Sequence, residues 1–68
     1  AISGQNALSA YAASEKAILI GDLENTFRYV MKAENEIKKG SPVWLRLQDI
    51  KILANEIKKR RERKKKNL

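Results

Sequence analysis

The sequence contains neither cysteine nor histidine, and this absence limits the chemistry that the chain offers. Without cysteine it forms no disulfide, and without either residue it lacks the usual ligands of zinc and other soft metals. We therefore expect no metal and no cofactor. The lack of cysteine fits an intracellular setting, which leaves cytoplasmic, nuclear and virion-associated locations open.

Turn-forming residues and long apolar segments are also scarce. One proline and three glycines among 68 residues leave few breaks in the chain. No apolar run exceeds four residues, as at residues 17–20, whereas a membrane-spanning helix needs about 20. A chain of this length forms one small domain at most. Without disulfides or metals, that domain depends on helix packing or oligomerisation for stability.

Three helices account for the spacing of the apolar residues and for the few breaks. Gly21 and Gly40 suit helix C-termini, where the chain needs a left-handed residue. Asp22 is a good N-cap, and Ser41 followed by Pro42 is a strong helix start. The sequence predicts helices over residues 5–20, 23–39 and 42–66.

Apolar residues recur every three or four positions in each segment, which predicts one buried face per helix. They are Ala7, Tyr11 and Ile18 beside Leu8 and Leu19 in the first helix; Leu23, Phe27, Val30 and Ile37 beside Met31 in the second; and Val43, Leu47, Ile50, Ala54 and Ile57 in the third. Ala10 and Ala17 give the first helix a second, smooth side. We predict an all-α three-helix bundle, in which a third helix closes a helical hairpin.

The net charge lies near the carboxyl end. The chain has 15 Lys and Arg against 8 Asp and Glu, a formal net charge of +7. Residues 58–66 read KKRRERKKK, with eight basic side chains and one acid, whereas the seven basic and seven acidic residues of 1–57 cancel. The third apolar stripe also stops at Ile57. We expect a helical domain over residues 1–57 and a basic extension over 58–68.

The basic run is the candidate binding site, for a nucleic acid or for an acidic partner. Its basic residues are Lys58, Lys59, Arg60, Arg61, Arg63, Lys64, Lys65 and Lys66. Their mutual repulsion favours fraying when the tail is free and order when it is bound. No aromatic residue interrupts the run, so base stacking is not encoded there. Backbone contact with phosphates is the leading expectation.

The basic run is also compatible with roles that involve no nucleic acid. It fits a solvated end, a localisation signal or a segment that docks on an acidic protein, and these roles stay open. A membrane surface fits less well, because the run has no apolar face and no lipidation site.

A second stripe on the third helix is a candidate oligomer or partner face. Leu45 and Ile52 lie seven residues apart, on the side opposite the predicted core, with Trp44 and Gln48 beside them. These are either scattered surface residues, or a contact with the amino-terminal Ile2, or a contact with another subunit. We expect self-association through this face.

Two glutamates fall on predicted apolar faces. A buried carboxylate needs a partner, and antiparallel packing predicts a buried Glu34–Arg46 ion pair, with the Tyr11 hydroxyl as a second candidate. Alternatively, Glu34 is solvated at the rim. Glu15 and Glu34 together offer the two carboxyls of general acid–base catalysis. No nucleophile, metal set or phosphate loop accompanies them, so we expect no catalytic residues and no enzyme.

Residues 7–39 combine a Gly21-Asp22-Leu23-Glu24 turn with a small residue, Ala33, in the second predicted helix and a large aromatic one, Tyr11, in the first. In these features they resemble a tetratricopeptide-type helical hairpin or a similar small three-helix interaction domain. Thr26 and Ser14 depart from the pattern, and only one unit is present where repeat folds need about three. The resemblance implies a helix-hairpin interaction module and transfers no ligand site.

The sequence thus predicts a non-catalytic binding protein. The basic extension would contact nucleic-acid backbones, and the helical body would mediate assembly. The alternative is a protein–protein or scaffolding module whose basic tail docks on an acidic protein surface.

Overall fold

The protein is an all-α three-helix bundle. The computed structural model describes the backbone of residues 2–66 and the side chains of residues 6–63. The helices are α1 (Ile2–Leu19), α2 (Leu23–Glu34) and α3 (Pro42–Lys66), and no strand lies among the described residues. Short connections reverse the chain twice, so α1 and α3 end at the same end of the bundle. The most extensive interface joins α1 and α2.

The turn between α1 and α2 follows from Gly21. Its φ of +78° is left-handed, and the Gly21 and Asp22 N–H groups donate to the carbonyls of Ile18 and Ala17, at 3.2 and 2.9 Å. This Schellman motif satisfies carbonyls that a helix end leaves unpaired. Asp22 then caps α2, because its carboxylate accepts from the Asn25 N–H at 3.3 Å. The connection between α1 and α2 is therefore as predicted.

Helix α2 ends at Glu34, five residues before the predicted end at Lys39. The Ala33 carbonyl accepts from both the Glu36 and Ile37 N–H groups, each at 3.1 Å, so the regular helical ladder stops there. Ile37 then packs against the core from outside the helix. The expectation that Gly40 ends α2 is therefore wrong.

The connection to α3 contains Gly40 and Ser41. Gly40 has a left-handed φ of +86°. The Ser41 hydroxyl accepts from the Trp44 N–H at 3.3 Å, which confirms Ser41 as the N-cap of α3. The predicted bounds of α3 are also confirmed, whereas α1 begins three residues before its predicted start.

Small side chains form the core face of α1. Ala7, Ala10, Ser14 and Ala17 are buried, whereas Leu8 and Leu19 are exposed. The smooth side of α1 therefore faces the bundle together with Ala7 and Tyr11 of the predicted stripe, because Tyr11 packs against the core cluster. Only the flanking leucines are turned away. Small residues let two helices approach closely, and α2 contributes Thr26, Val30 and Ala33 to the buried set.

The two buried hydroxyls bond within their own helices. Ser14 Oγ donates to the Tyr11 carbonyl at 2.6 Å, and Thr26 Oγ1 donates to the Asp22 carbonyl at 2.7 Å. No buried polar side-chain atom among the described residues lacks a hydrogen-bond partner. A local partner is what makes a hydroxyl tolerable at a position with no solvent contact.

Helix α3 supplies the third wall of the core and then extends past it. Leu47 and Ala54 are fully buried, and Val43 and Ile50 pack against the core cluster. Its 25 residues span about 37 Å, roughly twice the length of α2. The bundle is therefore elongated, with extents of 50 × 19 × 15 Å.

Candidate nucleic-acid interface

The basic segment, residues 58–66, continues α3 without a break. Within its described part, all five basic side chains are exposed: Lys58, Lys59, Arg60, Arg61 and Arg63. The side chains of Lys64, Lys65 and Lys66 lie outside the described residues. The segment is therefore helical, and its described basic side chains are exposed to solvent, although like-charge repulsion alone favours fraying.

Arg61 has a contact that the other described basic side chains of the segment do not have. Its Nη2 donates to the Gly21 carbonyl oxygen at 2.9 Å. Gly21 follows the C-terminus of α1, where the helix dipole favours positive charge. A contact between α3 and the hairpin thus lies beyond Ile57. The sequence carried a signal for it, because Arg61 continues the 4–3–4–3 spacing of the core stripe one step past Ile57.

Three basic residues point away from the hairpin. Successive helical residues are about 100° apart, which puts Lys59, Arg60 and Arg63 on the side of α3 opposite buried Ala54. With Glu56 they line one shallow hollow. An open cationic surface of this kind suits a phosphate backbone, which needs charge and access rather than a shaped pocket.

The outer patch on α3, made of Trp44, Leu45, Gln48 and Ile52, has two distinct parts. Leu45 and Ile52 are 53% and 59% exposed, as a free apolar face requires. Trp44 and Gln48 are half-buried, and Gln48 donates a hydrogen bond to Glu34 Oε2. The side chain of Ile2 lies outside the described residues, so its expected contact stays a prediction, as does self-association.

Glu34 bonds to α3, but not to the expected residue. Its carboxylate accepts from Gln48 Nε2 and from Lys51 Nζ, the latter at 3.0 Å. The predicted partner, Arg46, lies two residues before Gln48 and so about 200° away around the helix. The expected Glu34–Arg46 pair is replaced by Glu34–Lys51, and the Glu34 side chain keeps 20% of its exposure.

Electrostatics keep Glu34 ionised. Burial raises the pKa of its carboxyl, but hydrogen bonds from Gln48 and Lys51 lower it, and so do the positive charges of Lys51 and Lys39. The lowering effects prevail, and the pKa lies below its ordinary value of 4.5. A carboxylate held in its charged form ties α2 to α3 and is poorly suited to act as a general acid.

Glu15 lies on the other flank of α3. The Tyr11 hydroxyl, also considered as a partner of Glu34, donates instead to Glu15 Oε2 at 3.2 Å. Both side chains line a shallow groove with Arg46, Asp49 and Ile50. Glu15 and Glu34 therefore face opposite flanks of α3 and do not form the carboxyl pair that catalysis would need.

Comparisons with protein-family models, curated proteins and solved structures find no match for this chain. Within the described part of the chain, no helix is both long and apolar enough to cross a membrane. No group of three or more acidic side chains among those residues is placed to hold a metal ion.

Proposed function

We propose that the protein is a non-catalytic nucleic-acid-binding protein whose basic segment contacts the phosphate backbone. The observation that carries the proposal is the exposed cationic face of α3, formed by Lys59, Arg60 and Arg63 on the side away from the hairpin. A packed bundle holds this face on a regular helix. The helical body mediates assembly with further copies or partners.

Charge, rather than base recognition, accounts for the proposed binding. The basic segment contains no aromatic side chain for stacking on bases. Lys and Arg that neutralise phosphates release counterions, so affinity falls steeply with salt and depends little on sequence. With four or five contacts, the slope of log affinity against log salt is about −4.

Charge-neutral variants test this proposal without shortening the chain. The triple variant Lys59→Gln, Arg60→Gln, Arg63→Gln removes three outward charges and leaves the Arg61 contact intact. We expect its salt slope to become shallower by about 2 to 3, because each lost phosphate contact removes about 0.9. Fluorescence anisotropy with labelled duplex DNA at several salt concentrations measures both affinity and slope.

A matched control removes the same charge elsewhere. The variant Lys32→Gln, Lys38→Gln, Lys39→Gln neutralises three exposed basic residues outside the basic segment. We expect this control to keep most of the salt slope. Equal losses in the two variants would show that net charge alone attracts the nucleic acid, and would reject a defined interface on α3.

The exposure of Leu45 and Ile52 favours a second candidate function, a protein–protein module whose basic tail docks on an acidic surface. The variant Leu45→Ser, Ile52→Ser separates the two functions. Under the leading proposal it binds DNA as well as the unmodified chain does. If the outer patch mediates self-association, the same variant lowers the sedimentation coefficient at high micromolar concentration.

A further inference from the structure

One end of the bundle combines exposed apolar side chains with the basic segment. Leu19 and Ile20, here called the apolar tip, are 84% and 79% exposed, the highest values for large apolar side chains among the described residues. Gly21 follows them directly and accepts the hydrogen bond from Arg61, 40 residues further along the chain. The fold thus brings the apolar tip close to the basic segment, although the two are far apart in the sequence.

The charged side chains next to the apolar tip are of both signs, and the basic segment supplies the excess of positive charge at this end. Lys16 lines shallow hollows together with each residue of the tip. Three acids lie nearby. Glu15 accepts a hydrogen bond from the Tyr11 hydroxyl, and Asp22 accepts from the Asn25 backbone and side chain. Glu24 lies 3.7 Å from Arg28, so its charge is paired. This end therefore offers a negatively charged surface both an apolar contact and several cations.

We propose that this end of the bundle binds an anionic phospholipid surface. The apolar tip enters the headgroup region, while the basic segment contacts the charged lipid headgroups. Interfacial binding grows with buried apolar area and with attraction to anionic lipids, and two such signals together give stable binding where one is marginal. Each basic side chain near the surface adds roughly fivefold in affinity.

The apolar part of this surface comes from the last residue of α1 and the residue that follows it, and not from the basic segment. Nucleic acids and phospholipids both present phosphates, so the basic segment serves either ligand. Only the lipid surface has an apolar interior for the tip to enter. The inference therefore goes beyond the proposed function, and substitutions in the tip separate the two ligands.

Vesicle co-sedimentation of the full chain tests the inference. The vesicles are either phosphatidylcholine alone or an equimolar mixture of phosphatidylcholine and phosphatidylserine. We expect binding to the mixed vesicles only, and a loss of about tenfold or more for the variant Leu19→Ser, Ile20→Ser, because it removes two aliphatic side chains from the interface. Both positions are exposed, and circular dichroism checks that the variant stays helical.

The matched control is the variant Leu8→Ser, Met31→Ser, which makes polar two exposed apolar residues that lie outside both the apolar tip and the outer patch. It should bind mixed vesicles as the unmodified chain does. The tip variant should also bind duplex DNA unchanged. Equal weakening of vesicle binding by the two variants would overturn the inference, because it would show a general effect of hydrophobicity.

A fluorescent probe reports insertion directly. Because the chain has no cysteine, an Ile20→Cys variant takes a single nitrobenzoxadiazole label, whose emission rises and shifts to the blue in apolar surroundings. We expect this change on mixed vesicles, and none for the same label on a variant with Met31→Cys, because Met31 is exposed and lies outside both the tip and the outer patch. Failure of the unmodified chain to bind mixed vesicles, or an unchanged spectrum at position 20, would overturn the inference whether or not DNA binds.

Discussion

Glu34 shows how one partly buried carboxylate joins two helices. Its bonds to Gln48 and Lys51 span the interface of α2 and α3 and offset the cost of its burial. The lowered pKa means that the folded state favours the ionised carboxyl more than the unfolded chain does. Glu34 therefore contributes stability above its ordinary pKa of 4.5, and this stability is lost as the pH falls through the lower pKa of the folded state.

Replacing the Glu34 carboxylate should reveal how its contribution to stability depends on pH. We expect Glu34→Gln to lower the free energy of unfolding by about 1 kcal/mol near neutral pH, because a charge-assisted bond is lost. The loss should shrink at an acidic pH below the lowered pKa of the folded state, because the native carboxyl is then protonated as well. Chemical denaturation at the two pH values measures it, with exposed Glu36→Gln as the control. The same loss at both pH values would show that packing, not charge, is responsible.

At the scale of the helices, sequence reasoning is most successful where a capping residue defines a boundary. Asp22, Gly21 and Ser41-Pro42 mark three helix ends correctly, because each satisfies backbone groups locally. The end of α2 escapes prediction because the sharing of the Ala33 carbonyl is a property of the folded turn rather than of composition.

The buried face of α1 illustrates a second limit. Periodicity identifies two apolar sides but cannot rank them, because hydrophobicity favours Leu8 and Leu19 whereas close helix packing favours alanines. The structure buries the alanines and packs Tyr11 against the core, and it leaves both leucines exposed. The position of the basic segment at the end of α3 is readable from sequence, but its nearness to the apolar tip depends on the direction of all three helices.

The docking of Arg61 on the end of α1 gives a prediction about two glycines. Both Gly21 and Gly40 have positive φ, so an alanine at either position costs about 1 to 2 kcal/mol of strain. A Cβ at Gly21 would also lie 2.8 Å from Arg61 Nη2, whereas nothing lies within 4 Å of one at Gly40. Because the exposed Arg61 side chain can move aside at small cost, we expect Gly21→Ala to destabilise the protein only slightly more than Gly40→Ala in thermal unfolding.

A background substitution separates strain from contact. In an Arg61→Ala chain, the extra cost of Gly21→Ala over Gly40→Ala should disappear, because no guanidinium remains to be displaced. If the two glycine variants still differ by the same amount in that background, the contact between Arg61 and the end of α1 does not contribute to stability.

The whole molecule consists of a packed body without net charge and a cationic end. Residues up to 57 carry no net charge and form the core, and the last turns of α3 carry all of the net +7. A 50 Å long molecule charged at one end meets a polyanion end-first, because its field is concentrated there. The charge distribution therefore favours electrostatic binding through the basic segment, as proposed.

Salt-dependent binding by the unmodified chain tests this claim most directly. Fluorescence anisotropy with labelled duplex DNA, single-stranded DNA and RNA, each at several salt concentrations, gives the affinity and slope for every ligand. We predict binding at low salt to all three, with a slope of about −4 for the duplex. No binding to any of them at low salt would contradict the claim.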